Sequence, residues 1–376
     1  MKMRRYIALA LGLMMTVAVA QPSHKTLREW GFPTGIFQPG QYNAITDVPG
    51  VTVGHVTLIE GDSIRTGVTA IVPHQGNIFR QKVPAAIHVG NGFGKLAGVT
   101  QVRELGNIET PVILTNTLSV AAGMEGVIRY TLMQPGNERV RSVNAVVGET
   151  NDGRLNDICG MHVTPQMVID AINGAHGGPV EQGCVGAGTG TICFGFKGGI
   201  GTSSRVLPES LGGYTVGVLV QTNYGGILEI DGVQVGQRLH KHDFINHVKK
   251  AENVDGSCMM VVITDAPLDS RNLERVAKRA MMGMAKTGGI ASNGSGDYVI
   301  ALSVAPGNLI DSDAKTITGT VLANSEMSSI FAATIEATAE ALWNSLFMAE
   351  GMTGKDGYHV DALPVDQVLD MLKDRN

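Results

Sequence analysis

Gly256-Ser257-Cys258-Met259-Met260-Val261-Val262-Ile263-Thr264 is the stretch on which both the fold and the chemistry turn. From Cys258 to Thr264 it is apolar or β-branched without interruption and reads as a strand. The residues before it, 236–255 (GQRLHKHDFINHVKKAENVD), are dense in Lys, His, Asp and Glu and are expected to be solvated and mobile. Ser257 stands at the seam. A serine hydroxyl is a poor nucleophile unless a base sits beside it. A serine that begins a chain brings its own base, an α-amine with a pKa of about 8. That arrangement requires a cut at Gly256–Ser257. Glycine lets the hydroxyl reach the preceding carbonyl in a tight turn, an N→O acyl shift gives an ester, and water then frees the new amino terminus. Locally, a Gly-Ser before a strand also reads as an ordinary turn.

Working outward, further strands are predicted over 51–58, 66–72, 111–115, 144–148, 214–220 and 298–304. Thr164 to Gly174 reads as a helix with Pro165 in its first turn. Leu273, Val276, Ala277, Ala280, Met281 and Met284 recur at helical spacing, with Asp269 or Ser270 as N-cap and Gly288 beyond the end. A longer helix is predicted from about Ser325 to Met348, with Met327, Phe331, Ile335, Leu342 and Leu346 on one face. The mixture indicates an α+β or α/β protein. Residues 21–40 are polar and read as an arm.

Among 376 residues there are 49 glycines, and 17% are charged. Against usual shares of about 7% and about 25% this describes a turn-rich globular protein. The net charge is −5, and no basic stripe with interleaved aromatics appears, so no nucleic-acid partner is expected. Lys2, Arg4 and Arg5, the apolar run Ile7 to Val17 and Ala18-Val19-Ala20 form a secretory signal pattern over 1–20. Export to the periplasm or beyond is therefore expected, with no membrane association once the signal is removed. Cys159, Cys184, Cys193 and Cys258 lack C-x-x-C spacing. Disulfides are permitted outside the cytoplasm, with three possible pairings, although free thiols suit a chain of this size.

Several other motifs carry little chemical signal. Val185-Gly-Ala-Gly-Thr-Gly190 has neither the G-x-G-x-x-G register nor a following Lys-Ser/Thr, and reads as a place where backbone approaches closely. Gly61-Asp62-Ser63-Ile64 resembles the start of an esterase block, but so short a match recurs by chance and a nucleophile needs a base and an orienter beside it. Ser295 lies outside a G-x-S-x-G elbow. His240, His242 and Asp243 sit in the charged segment and read as solvated side chains; no metal and no cofactor is expected.

The chain resembles, over nearly its whole length, the DmpA-type family of L-aminopeptidase/D-Ala-esterase/amidases and β-peptidyl aminopeptidases. The matching stretches are Asp47-Val-Pro-Gly-Val-Thr-Val-Gly-His55, Glu109-Thr-Pro-Val-Ile-Leu-Thr-Asn-Thr-Leu-Ser-Val120, Val146-Val-Gly-Glu-Thr-Asn-Asp-Gly153, Gly186-Ala-Gly-Thr-Gly190 and Lys197-Gly-Gly-Ile-Gly-Thr-Ser-Ser-Arg205. They continue with Val218-Leu-Val-Gln-Thr-Asn-Tyr-Gly225, Asp255-Gly-Ser257, Thr264-Asp-Ala-Pro-Leu268 and Gly294-Ser-Gly-Asp297. The resemblance implies an α+β fold, a four-layer αββα sandwich. It also implies one catalytic domain over 21–376, cut between Gly256 and Ser257 into a larger chain, 21–256, and a smaller one, 257–376. Oligomers of the cleaved heterodimer are implied as well.

The same resemblance makes Ser257 the nucleophile and Asn223 an oxyanion donor. Glu149 becomes the acid that holds the substrate's ammonium, and Ser295 with Asp297 the groups that orient the amine and hydroxyl of Ser257. Two positions depart from the pattern. Asn151 stands where some members carry a tyrosine that assists the oxyanion, and is assigned to substrate binding. Asp297 stands where some β-peptide-cleaving members have Glu. The expected activity is removal of N-terminal residues from short peptides, amides or esters. The competing readings are an ornithine-acetyltransferase-like acyltransferase, which Ser257 and the G-E-T acid disfavour, and an uncleaved binding protein of the same fold. Without the resemblance, Glu149 reads as a strand-end carboxylate paired with an arginine. Asn223 then reads as a turn residue, and Ser295 to Asp297 as a turn in which Gly294 and Gly296 take positive φ.

Overall fold

The computed structural model describes residues 24–245 and 256–374. Two sheets lie face to face. The first holds β1 (Thr52–Glu60), β2 (Ile64–Val72), β4 (Leu96–Ala97), β6 (Val112–Asn116) and β7 (Val146–Thr150) in the order β1-β2-β6-β7-β4. The second is built from β3 (Gln81–Gly92), β10 (Ile200–Val206), β11 (Thr215–Asn223), β12 (Gly256–Thr264), β13 (Ser295–Ser303) and β14 (Ile310–Asp311), in the order β10-β11-β12-β13-β3-β14. β5 (Asn107–Ile108) pairs beside β3, and β8 (Ile192–Cys193) with β9 (Phe196–Lys197) makes a small separate ladder. The helices are α1 (Val99–Leu105), α2 (Val120–Met133), α3 (Pro165–Asn173), α4 (Val235–Arg238), α5 (Ser270–Lys286), α6 (Met327–Phe347) and α7 (Val365–Lys373). α2 and α3 cover the first sheet, and α5 and α6 the second. The result is an α+β sandwich of four layers, αββα.

Strand β12 shows why the apolar run has to be central. Cys258, Met260 and Val262 face the core beneath α5 and α6, while Met259, Val261 and Ile263 face the core between the sheets. A strand with both faces dry carries no alternation, as the sequence reads. β12 pairs antiparallel with β11 and parallel with β13. The α5 helix that joins β12 to β13 starts where Asp269 accepts from the Asn272 N–H at 2.8 Å. It buries Leu273, Val276, Ala277, Ala280 and Met284, and Gly288 follows at φ +88°. Thr164 caps α3 in the same way, accepting from the Met167 N–H at 3.3 Å.

Three expectations are corrected. In α6 the buried side chains are Met327, Ile330, Ala333, Thr334 and Ala337 rather than Phe331 and Ile335, because Arg275 and Arg279 lie over the Phe331 ring instead. From Ala337 to Phe347 that helix is buried all round. Residues 236–245 are not a loose solvated run. Val235 and Gly236 are buried, the Lys241 ammonium lies 4.1 Å from the centre of the Phe196 ring, and the Asp243 N–H donates to Gly226 O at 3.0 Å. The rest of that run, 246–255, lies outside the described residues. Gly294 and Gly296 do not take positive φ.

The arm is tied down hard. Arg28, Thr34 and Asn43 all bond to the buried Glu340 of α6, which also holds the fully buried Arg205 of β10. The turn Gly186–Gly188 brings backbone against backbone: a Cβ on Gly188 would stand 2.4 Å from Ile200 N. All four cysteines are free. Among the described residues no helix is long and apolar enough to cross a membrane, and no group of His, Cys, Asp and Glu is placed to hold a metal ion.

Candidate active site

Ser257 is the second residue of β12 and is buried. Its hydroxyl donates to Gly256 O at 2.5 Å, so the oxygen lies against the carbonyl group that precedes it. Register fixes its neighbours: Asn223 of β11 on one side and Gly296 of β13 on the other. Gly256 in turn pairs with Ser295, and a Cβ on Gly256 would meet Ser295 Oγ at 3.1 Å.

Asn223 closes β11 and is not in a turn. Its Oδ1 accepts from the Ile192 N–H at 2.9 Å, and two residues beyond Ile192 the Phe194 N–H donates to the backbone oxygen of Tyr224 at 2.7 Å. With Oδ1 occupied, the Nδ2 donor of the amide has no hydrogen-bond partner among the described residues. A donor fixed before reaction is what a developing oxyanion needs.

Ser295 donates from Oγ to Asp297 Oδ1 at 2.8 Å. The Asn91 amide donates to Ser295 O at 2.5 Å and to Ser292 O at 3.0 Å, clamping the loop that leads into β13. Asp297 Oδ2 is buried with no partner among the described residues. Burial pushes this carboxyl up to about 6, against the opposing effect of the Ser295 hydroxyl and the Cys258 backbone. A buried acceptor left open beside the strand of Ser257 is a place for a further donor.

Glu149 comes from the other sheet. It sits in β7 opposite Thr115 and is buried. Among the described residues no arginine pairs with it. Oε1 accepts from the Lys95 N–H at 2.9 Å, Oε2 accepts from the Thr117 hydroxyl, and the Lys95 ammonium stands 4.0 Å away. Burial raises its pKa above the ordinary carboxylate value, although those three contacts pull the other way. Gly94 bridges the two halves. A Cβ there would lie 3.1 Å from Glu149 Oε1 and 3.3 Å from Gly296 Cα, the residue beside Ser257. Asn151 is exposed, and its Oδ1 accepts from the Gly153 N–H at 3.0 Å.

The sequence profile of peptidase family S58 matches residues 43–360. The chain belongs to peptidase family S58. S58 relatives agree over almost the whole length. The "Beta-peptidyl aminopeptidase BapA" of Sphingosinicella microcystinivorans is 37% identical, over 98% of this chain and 97% of that one. Among solved structures, a Burkholderia sp. β-aminopeptidase has a TM-score of 0.85 at 40% identity, covering 93% of this chain and 98% of its own. The L-aminopeptidase D-Ala-esterase/amidase of Ochrobactrum anthropi, described as a variant of the Ntn hydrolase fold, has a TM-score of 0.84 at 34% identity, covering 93% and 98%. The S58 protein described here is accordingly a hydrolase and an aminopeptidase, and the non-catalytic reading falls away.

The structure thus brings Ser257, Asn223, Ser295 and Asp297 together on three adjoining strands and sets Glu149 against them from the facing sheet. Asn151, one residue past the end of β7, is exposed. Sequence reasoning missed Gly94, Lys95, Thr117 and the Ile192 N–H. Lys95 in N-G-F-G-K is the one with a visible signal, a charge inside an otherwise apolar and glycine-rich stretch.

Proposed function

We propose that this chain is an exported, self-processing serine aminopeptidase and amidase that removes N-terminal residues from short peptides, amides or esters. The observation that carries the reading is Ser257 Oγ held 2.5 Å from Gly256 O, with Asn223 beside it in register. In self-cleavage Ser257 Oγ attacks the Gly256 carbonyl carbon. The hydroxyl proton passes to the Ser257 nitrogen as the C–N bond breaks, leaving an ester. Water hydrolyses it to a Gly256 carboxylate and a Ser257 with free hydroxyl and free α-amine. The open Oδ2 of Asp297 and the Ser295 hydroxyl are available to orient that amine.

In turnover the amine takes the proton from Oγ as Oγ attacks the first carbonyl of the substrate. Asn223 Nδ2 donates to the tetrahedral oxygen, and the proton goes on to the leaving amine. Water then resolves the acyl-enzyme. Glu149 receives the substrate's ammonium. A buried carboxylate with a raised pKa favours a ligand that brings a compensating charge, which limits cleavage to free amino termini. The cleaved heterodimers are proposed to assemble as homo-oligomers. Export rests on the signal pattern of residues 1–20, which lie outside the described residues.

A gel with amino-terminal sequencing tests this. The purified protein is expected as two chains, the smaller beginning Ser-Cys-Met-Met, and Ser257→Ala as one full-length chain without amidase activity. A single uncut but active wild-type chain would overturn it.

A further inference from the structure

Asn91 lies near the end of β3, where the ladder with β13 slips by one residue. Asp297 pairs with Asn91 and Tyr298 with Val89, so Gly90 is passed over in the register. A bulge of this kind re-aims the side chains beside it. Here the Asn91 amide reaches over the loop that enters β13. Its Nδ2 donates to Ser292 O at 3.0 Å, to Asn293 O at 3.3 Å and to Ser295 O at 2.5 Å. The Phe93 N–H adds a second bond to Ser295 O, at 3.2 Å. Of the four carbonyls from 292 to 295, that of Gly294 is the one turned away from Asn91. It accepts instead from the Gly256 N–H at 3.3 Å. Gly256 carries the carbonyl against which Ser257 Oγ lies.

We propose that Asn91 is a positioning residue for self-cleavage: by holding three carbonyls of the loop it presents the fourth, Gly294 O, to the Gly256 N–H and so fixes the peptide that is cut. The inference rests on the proposed cut at Gly256–Ser257. Gly256 has no side chain by which the fold could grip it, so its carbonyl is oriented through its backbone bonds alone. Misplacing a reacting group by about 1 Å can cost about a hundredfold in rate. The contact serves the uncut chain. After the cut Gly256 ends the larger chain, and its N–H has no part in the proposed turnover. Ser295 meanwhile keeps its bond to Asp297 at 2.8 Å and the bond from the Phe93 N–H. Loss of the Asn91 amide should therefore fall on the cut and much less on turnover.

The test follows newly synthesised full-length chain on a gel over time, in the wild type and in Asn91→Ala, and then compares kcat/KM of the two cut enzymes on an aminoacyl p-nitroanilide. In the variant the cut is expected to slow at least about tenfold, while kcat/KM of the cut fraction falls no more than about threefold. A cut at the wild-type rate overturns the inference. So does an equal loss in both rates, because Asn91 would then pack the loop for both reactions alike. Thermal unfolding in a Ser257→Ala background, where the chain stays whole, reads whether each variant folds. Asn91→Leu, of similar size and without a donor, is the second variant should the alanine disturb the fold, and the same split is expected of it. A wild-type chain that is never cut would sink the proposed function itself, and the inference with it.

Discussion

Asn223 stands directly opposite Ser257 across the β11–β12 ladder, with its carbonyl end anchored by the Ile192 N–H at 2.9 Å. The pairing places an oriented amide beside Ser257, and a donor held in place in advance is what the proposed oxyanion role requires. Asn223→Ala is expected to lower kcat by about a hundred- to a thousandfold. Asn223→Asp keeps the bond to Ile192 and loses the donor, so it should be no better. Steady-state kinetics on an aminoacyl p-nitroanilide reads the effect. Near-normal kcat in both variants would move the oxyanion site elsewhere.

Glu149→Gln separates substrate binding from self-cleavage. The glutamine can still accept from the Lys95 N–H but has no charge for an ammonium. A hydrogen bond to a charged group contributes about 1.5–3 kcal/mol, so kcat/KM should fall about ten- to a hundredfold, mainly through KM. The Gly256–Ser257 cut involves no ammonium and should proceed normally on a gel. A variant that stays uncut would show that Glu149 acts on the nucleophile rather than on the substrate.

Acid should silence the enzyme above the usual carboxylate range. Burial holds Asp297 at about 6 and raises Glu149 as well. Both must be ionised to serve an ammonium or amine, and a raised pKa means that the ionised form is lost earlier as pH falls. The pH profile of kcat/KM is expected to fall on its acid side in two stages, first as the Ser257 α-amine, with a pKa of about 8 in free peptides, takes up a proton, and again below about pH 6 as these carboxylates do. Asp297→Asn should lower the plateau and shift the second stage, because one of the two titrating carboxylates is gone. A profile without the second stage down to pH 4.5 would contradict both assignments.

The parts legible in the sequence were those whose signal is local. The dry strand β12 announces itself in Cys258 to Thr264, and the helices α3 and α5 in their caps and spacing. β10 was missed because Gly201-Thr202-Ser203-Ser204-Arg205 looks like a loop. Its polar side chains are satisfied inside the fold, Thr202 by Val218 O at 2.7 Å and Ser203 by Asn43 at 3.0 Å. β3 was missed because Pro84 and the glycines at 90 and 92 read as breaks. Pro84 instead lies where β3 meets the short edge strand β5. The contacts of Glu149 with Lys95 and Thr117 join residues far apart in the chain, and neither periodicity nor composition carries such pairs.

Glu340 should make stability depend on acid in a predictable window. Burial alone would raise its carboxyl, but Arg28 at 2.8 Å, Arg205 at 2.7 Å and the Asn43 amide bring it down to about 2. A group whose pKa is depressed on folding contributes stability that is full above its unfolded value of 4.5. That contribution is lost as pH falls toward about 2. Glu340→Gln leaves Arg205 fully buried without its closest counter-charge, and breaking a buried pair in this way costs about 3–5 kcal/mol. Urea unfolding in a Ser257→Ala background, where the chain stays whole, should show that difference at pH 7. The gap should narrow at pH 3, because the wild-type carboxylate is then giving up its advantage while the glutamine has none to lose. An equal gap at both pH values would mean that Glu340 stabilises the arm by packing rather than by charge.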